Sequence, residues 1–583
     1  MTVTEQSLAI PTRVADDADS GAALGRFPEL PDLAFMGFLT AAIVALLLYA
    51  HVDPQSPWYD LGGHFVDGVR LLHTPLNSRM FAETPLYPFF VSVVALPFNL
   101  LGDSDYQITM PGVEAVFTCV LLTSTYGCGR RLFGGWAGLL AAALLAAYPA
   151  VVGQSHIYML DVPLAAMVAL SYWLLLLSDG LRRQGYALGL GIAMGLGMLT
   201  KFSFVFFVAP PLAVAAAGAA ASAAPYVPER LGRAHLMRLV RCAYGGGSAE
   251  GAGDAAFTGA LLALTATLLA LLWYAPRLSW LRTGYQDAVT SSHLGRGEGS
   301  GLSYESVTYY VSGLWHTVSF AFAIVFVADA ALYFLRGHRG RLLLGTWLAV
   351  GYICLTLAGG KEPRYMLPAL PAVALVSAAG LGVLASRGPR VRAASVLVAT
   401  GLVGFGALQV WAVVAGIGWL PNGPFVRDAP APHEPVAFFS QRQGYVQRPA
   451  EESWSVDPAV RWLRADARAS GLGTYRALAL GAVGRNSGGS GPGAQCDRAP
   501  AGFSAFQSSF QYALDRTTLV GEQPSGAPGL PADYLVCAVP AQEPLADRVV
   551  LSFLPALSFE KAHEEALGVP ALSTRLVIYR RGP

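Results

Sequence analysis

Charge is what this chain has least of. Asp, Glu, Lys and Arg make up only 13% of its 583 residues, while 54% are hydrophobic and the mean hydropathy is +0.46. A soluble protein carries roughly 25% charged residues, so the shortage points to an integral membrane protein. Lysine is almost missing: Lys201, Lys361 and Lys561 are the only ones among 39 basic residues. The net charge of +1 gives no sign of a nucleic-acid partner. A Walker loop is lacking, as is a GxGxxG before a helix, so no nucleotide site is expected. An internal repeat period is lacking too. Residues 1–32 have neither a basic n-region nor a cleavage site, which reads as a retained cytoplasmic tail rather than a signal peptide. Cysteine is scarce and without ligand spacing. Four of the six (Cys119, Cys128, Cys242, Cys354) lie in or near apolar segments, and Cys496 and Cys537 alone lie near the C-terminus.

What is present is a series of apolar runs near the 20 residues that a bilayer crossing needs. They fall at 33–52, 112–129, 136–153, 162–178, 185–200, 203–222, 255–274, 307–335, 342–358, 365–386 and 393–416. A further run, 86–102, carries Pro88 and Pro97 with Pro85 just ahead of it. Five arginine clusters arbitrate its status: Arg130/Arg131, Arg182/Arg183, the set Arg230 to Arg241, Arg336 to Arg341, and Arg387 to Arg392. If 86–102 does not cross, all five join the N-terminus inside, as the positive-inside rule asks. The expected fold is therefore a polytopic α-helical membrane protein of about 11–13 transmembrane helices. Residues 33–416 form its membrane domain, with a first external loop over 53–111 that holds juxtamembrane helices. A small α/β domain over 417–583 is expected outside.

The tail supports that division. Long apolar runs stop after 416. Asp457 caps a predicted helix through Ser470, and FSAFQSSFQYALDR reads as another. YRALALGAV, ADYLVCAV and TRLVIYRR read as strands. The Gly-rich stretch 484–494 reads as a plain loop. As the only tail cysteines, in an oxidising exterior, Cys496 and Cys537 are expected to form a disulfide.

On this topology the reactive polar residues gather on one membrane face, outside. Asp60, His64 and Asp67 share a face if 60–72 is helical, and Asp60 is placed to accept a hydroxyl proton. An N-cap on a surface helix is the plainer alternative. Asp161 opens a span in SHIYMLDVPLAA; helix-start chemistry explains it alone but not the crowding of His156 and Tyr158 beside it. Lys201 in LTKFSF, and Lys361, Arg364 and Tyr365 in KEPRYMLPALP, stand at outer span ends. Cations there either snorkel to the interface or hold a lipid phosphate.

In this order, Asp60, FAETPLYPF, SHIYMLDVPLAA, GLGMLTKFSF and KEPRYMLPALPAVAL resemble the membrane C-type glycosyltransferases that take sugars from polyprenyl phosphates. Family 39, the protein O-mannosyltransferases and the lipid A aminoarabinose transferases are the groups most alike. The resemblance covers roughly residues 33–385. It implies an inverting sugar transfer from a polyprenyl-phosphate donor to an acceptor hydroxyl of a lipid, glycan or protein, at the external face of a bacterial inner membrane. Asp60 would be the base and Asp161 the second acid. Lys201, Lys361 and Arg364 would face the donor phosphate, and His156, His64, Tyr365 and Glu83 would orient substrate. Relatives often have Asp-Glu where this chain has Asp60-Leu61, and Lys before Pro-Pro where it has Thr84-Pro85-Leu86; Arg79 stands in for that lysine. No cofactor is required by this scheme, though the paired acids are compatible with a divalent metal. A transporter or lipid flippase would instead set polar residues at mid-membrane within repeats. A non-catalytic scaffold presenting the tail is the remaining alternative.

Overall fold

The computed structural model describes residues 28–52, 84–101, 106–223, 252–278, 302–335, 340–358, 361–414, 457–471 and five strands of the tail, with a few positions among 64–72; short gaps fall at 180 and 182. Its membrane part is helical throughout. The helices are α1 (Leu30–Val52), α2 (Leu86–Leu101), α3 (Tyr106–Phe133), α4 (Gly135–Ala147), α5 (Pro149–Ile157), α6 (Asp161–Leu177), α7 (Gln184–Thr200), α8 (Phe204–Ala223) and α9 (Ala252–Tyr274). They continue as α10 (Tyr304–Ser312), α11 (Leu314–Val318), α12 (Phe320–Leu335), α13 (Arg341–Leu357), a 3-10 turn over Pro363–Ala369, α14 (Leu370–Ala385) and α15 (Pro389–Val414). Among the described residues five helices are long and apolar enough to cross a bilayer. The pair α4 and α5 makes a sixth if taken as one span bent by 61°.

Two expected spans are not continuous. Pro149 has no N–H to extend α4, so the run expected over 136–153 bends at Tyr148. The run expected over 307–335 is cut at Gly313 and again at Ser319, whose φ of 74° no regular helix accommodates.

Burial sorts the helices. α6 and α14 are enclosed on nearly every side and carry the centre of one large apolar core. α1, α9 and α15 leave most of their apolar surface uncovered, as helices facing lipid do. Glycine permits close approach of helices in that core. A methyl group on Gly129 of α3 would stand 2.6 Å from the Gly138 Cα of α4.

Direction follows from contacts at the two ends of the bundle. Asp32 at the start of α1 accepts from the Tyr126 hydroxyl and pairs with Arg130 at 2.8 Å, while Phe35 stacks on Tyr126. The start of α1 therefore meets the end of α3. At the opposite end Tyr49 of α1 stacks on His156 at 3.9 Å. The chain thus leaves α1 and enters α3 at the His156 end. Thr84, just before α2, donates to the Thr200 carbonyl at the end of α7, which ties the start of α2 to the same end.

In the tail, α16 (Asp457–Ala469) accompanies a five-stranded sheet. Its strands are β1 (Ala477–Leu480), β2 (Tyr534–Pro540), β3 (Arg548–Val550), β4 (Ser558–Ala566) and β5 (Thr574–Arg581), in the order β1-β2-β5-β4-β3. Only β1 and β2 run parallel. Ala459, Leu463 and Ala467 recur every four residues along α16 and are all buried. The Tyr534 hydroxyl and the Arg580 guanidinium both donate to Asp466, which ties the helix to β2 and β5. The helix expected over 503–516, the loop 484–494 and Cys496 lie outside the described residues.

Candidate active site

The His156 end of the bundle gathers a buried cluster of charged side chains. Asp161 is the first residue of α6, where a carboxylate meets the positive end of the helix. It is 1% exposed. Its Oδ1 accepts from the Lys201 ammonium at 3.0 Å, and the Arg364 Nε stands 3.7 Å from its Oδ2. Arg364 also pairs with Glu362 at 2.5 Å. The Lys201 ammonium lies 4.9 Å from the centre of the Tyr365 ring and the Arg364 guanidinium 5.7 Å, both within cation–π range. Asp161, Lys201, Arg364 and Tyr365 therefore meet, although 40 and 203 residues separate Asp161 from the two cations in sequence.

Local structure explains each position. Lys201 ends α7 in extended backbone and opens a tight turn into α8. The turn closes because Gly197 has no side chain: a Cβ there would lie 2.3 Å from the ring of Phe204. Arg364 rides on the 3-10 turn. The Trp347 indole N–H donates to the Pro368 carbonyl at 2.8 Å, Tyr172 of α6 stacks on Trp347 at 3.7 Å, and the Tyr172 hydroxyl donates to the Phe207 carbonyl. This clamp holds α6, α8, α13 and the 3-10 turn together. Burial depresses the Lys201 ammonium, but Asp161 and Tyr365 outweigh it, so its pKa stands above the ordinary lysine value.

Other expected residues are distributed around this centre. His156 is buried at the end of α5 between Tyr49 and Tyr158. His64 is buried with its ring edge-to-face on Tyr87. The Lys361 ammonium is buried and donates to the Thr356 and Ala358 carbonyls, which caps the end of α13. Asp60, Arg79 and Glu83 lie outside the described residues. Among the described residues no group of three or more His, Cys, Asp or Glu is arranged to hold a metal.

Two members of the cluster escaped the reading of the sequence. Glu362 was adjacent to the basic motif and visible in KEPRY. Glu114 is more telling, because it is fully buried inside α3, lies within hydrogen-bond distance of the Tyr87 hydroxyl at 2.8 Å, and interacts electrostatically with Asp161. A lone acid in the apolar run PGVEAVF was the available signal.

Residues 83–227, which carry Asp161, Lys201 and the buried acid of α3, match the family model described as dolichyl-phosphate-mannose-protein mannosyltransferase. That match supports the membrane C-type glycosyltransferase superfamily, the class the motifs resemble. The solved structures to which the chain is similar include ArnT from Cupriavidus metallidurans, at 16% identity and a TM-score of 0.45 both in the apo state and bound to undecaprenyl phosphate. These likenesses cover 67% and 65% of this chain and 66% and 71% of ArnT. The apo oligosaccharyltransferase of Archaeoglobus fulgidus is 14% identical with a TM-score of 0.45, over 83% of this chain and 64% of that one. The Pmt1-Pmt2 protein O-mannosyltransferase complex of S. cerevisiae bound to the sugar donor is 17% identical with a TM-score of 0.32, over 45% and 35%. The chain thus spans about two thirds of the length of apo ArnT. No curated protein matches.

Proposed function

We propose that this protein is a glycosyltransferase that moves a sugar from a polyprenyl-phosphate donor to an acceptor hydroxyl, with inversion, at the outer face of a bacterial inner membrane. The observation that carries the reading is the buried Asp161 carboxylate held by Lys201 and Arg364 at one end of the bundle. A transporter would carry such groups at mid-membrane, and this cluster stands at helix ends.

In the proposed step Asp60 takes the acceptor proton and the freed oxygen attacks the anomeric carbon. The new carbon–oxygen bond forms as the bond to the donor phosphate breaks, and the lipid phosphate leaves with the electron pair. Lys201 and Arg364 stabilise that growing charge in a setting of low dielectric. Asp161 and Glu362 balance those two cations in the resting site. Attraction for phosphate therefore comes from directed N–H groups rather than from net charge. Lys201 uses one donor on Asp161 and has two more. His156, His64, Tyr365 and Glu83 orient sugar or acceptor, and Lys361 and Arg79 supply further positive charge toward the phosphate. No step in this scheme uses a metal ion.

We take α2 as a juxtamembrane helix that does not cross, and the domain over 417–583 as extracytoplasmic, because this arrangement gathers the arginine clusters on the inner side. Purified protein offered a panel of radiolabelled polyprenyl-phosphate sugars, with cell-envelope extract as acceptor source, tests the function. Consumption of one donor with release of polyprenyl phosphate is the expected result; an inert panel would oppose it.

A further inference from the structure

Glu114 sits two turns into α3, fully buried, with its Oε2 bonded to nothing among the described residues. Its Oε1 lies 2.8 Å from the Tyr87 hydroxyl, and that hydroxyl lies 3.2 Å from the Tyr158 carbonyl. A tyrosine has one hydroxyl proton. A carbonyl only accepts, so when Tyr87 donates to Tyr158, the short contact to Glu114 needs its proton from Glu114. An ionised Glu114 would instead claim the Tyr87 proton, leaving the Tyr158 carbonyl facing a lone pair. It would also add a second negative charge that repels Asp161.

The far end of this chain of bonds matters because of what it holds. Tyr158 is a non-glycine residue at φ 60°, in the left-handed region, at the end of α5. Such backbone persists only where its surroundings hold it. Three residues on, the same turn delivers Asp161 to Lys201 and Arg364.

We infer that Glu114 stands as a neutral carboxylic acid that donates through the Tyr87 hydroxyl to the Tyr158 carbonyl, and that it thereby positions the turn carrying Asp161. Glu114 is a positioning residue and touches no substrate. Its effect on turnover rests on the proposed function, but its protonation does not.

Difference infrared spectroscopy on the full-length protein in detergent tests the protonation. Glu114→Gln should remove a carboxylic-acid C=O band that shifts in heavy water. Loss of a carboxylate band instead would overturn the inference. Turnover of a polyprenyl-phosphate sugar tests the positioning. Glu114→Gln still donates from its amide and should keep wild-type turnover and pH profile. Glu114→Leu and Tyr87→Phe break the chain of bonds and should lower kcat by roughly 10²-fold with little change in donor KM, as expected for a misplaced active-site group. Equal turnover in the Gln and Leu variants would overturn the positioning role. If Leu fails to fold, Tyr87→Phe decides. If the wild type turns over no donor, the functional reading fails while the infrared result still settles the state of Glu114.

Discussion

Asp161→Asn is the substitution that asks most of the structure. It keeps the shape of the side chain and removes its charge, leaving Lys201 and Arg364 facing each other across a buried amide. At an effective dielectric constant of 20, the attraction lost is about 5.5 kcal/mol for Lys201 at 3.0 Å and about 4.5 kcal/mol for Arg364 at 3.7 Å. These are gross terms. The cations regain water, since their side chains are 25% and 19% exposed, and the net cost of breaking such a pair is about 3–5 kcal/mol. Removing Lys201 as well, as Lys201→Met, deletes one of the stranded cations, so the double variant should be more stable than the sum of the single losses implies. The coupling should be on the order of 1–3 kcal/mol. Unfolding free energies of the four proteins, from reversible denaturation in detergent at neutral pH, measure it directly. Additive effects, with coupling below about 0.5 kcal/mol, would refute the buried pair.

Three further outcomes are expected. Because the folded pKa of Lys201 is raised, its stabilisation is complete below the ordinary value of 10.5 and is lost as pH rises through the folded value; the stability gap between wild type and Lys201→Met should stay level to about pH 10 and shrink above it, and a gap that shrinks on acidification instead, well above the carboxylate range, would contradict the sign. Cysteines introduced at 103–106 and in the tail should be labelled by an impermeant reagent from outside while 387–392 stay protected, and the reverse pattern would overturn the topology. Cys496 and Cys537 should appear as one linked peptide in non-reducing mass spectrometry, with their bridge worth ~2–4 kcal/mol to the tail; alkylation of both thiols without reductant would end that idea.

How much of this was legible in the sequence depends on how local the signal was. The apolar runs announced the membrane helices, and the alternation in YLVCAVP and TRLVIYRR announced β2 and β5. Strand β4 gave no such sign. Its SFEKAHEEA is rich in good helix formers, yet it pairs along β5 with an irregularity between Lys561 and His563. Sheet pairing overrode propensity there, as it does when a neighbour supplies the ladder. The breaks at Tyr148 and Ser319 were hidden because hydropathy averages over a bend. The meeting of Asp161 with Lys201 and Arg364 was only implied by their common position at helix ends, since the pairing depends on a turn closed by Gly197 and a 3-10 segment held by Trp347. The motif of Lys361 suggested a phosphate contact but not the bonds its ammonium makes to the carbonyls that end α13.

The central claim is that the charged end of this bundle transfers sugar from a polyprenyl phosphate with Asp60 as base. The most direct test compares wild type and Asp60→Asn on whichever radiolabelled polyprenyl-phosphate sugar the purified protein consumes. A general base contributes about 10²–10⁴-fold, so the variant should bind the donor like the wild type and lose turnover by that factor. An Asp60→Asn protein with full turnover would contradict the account.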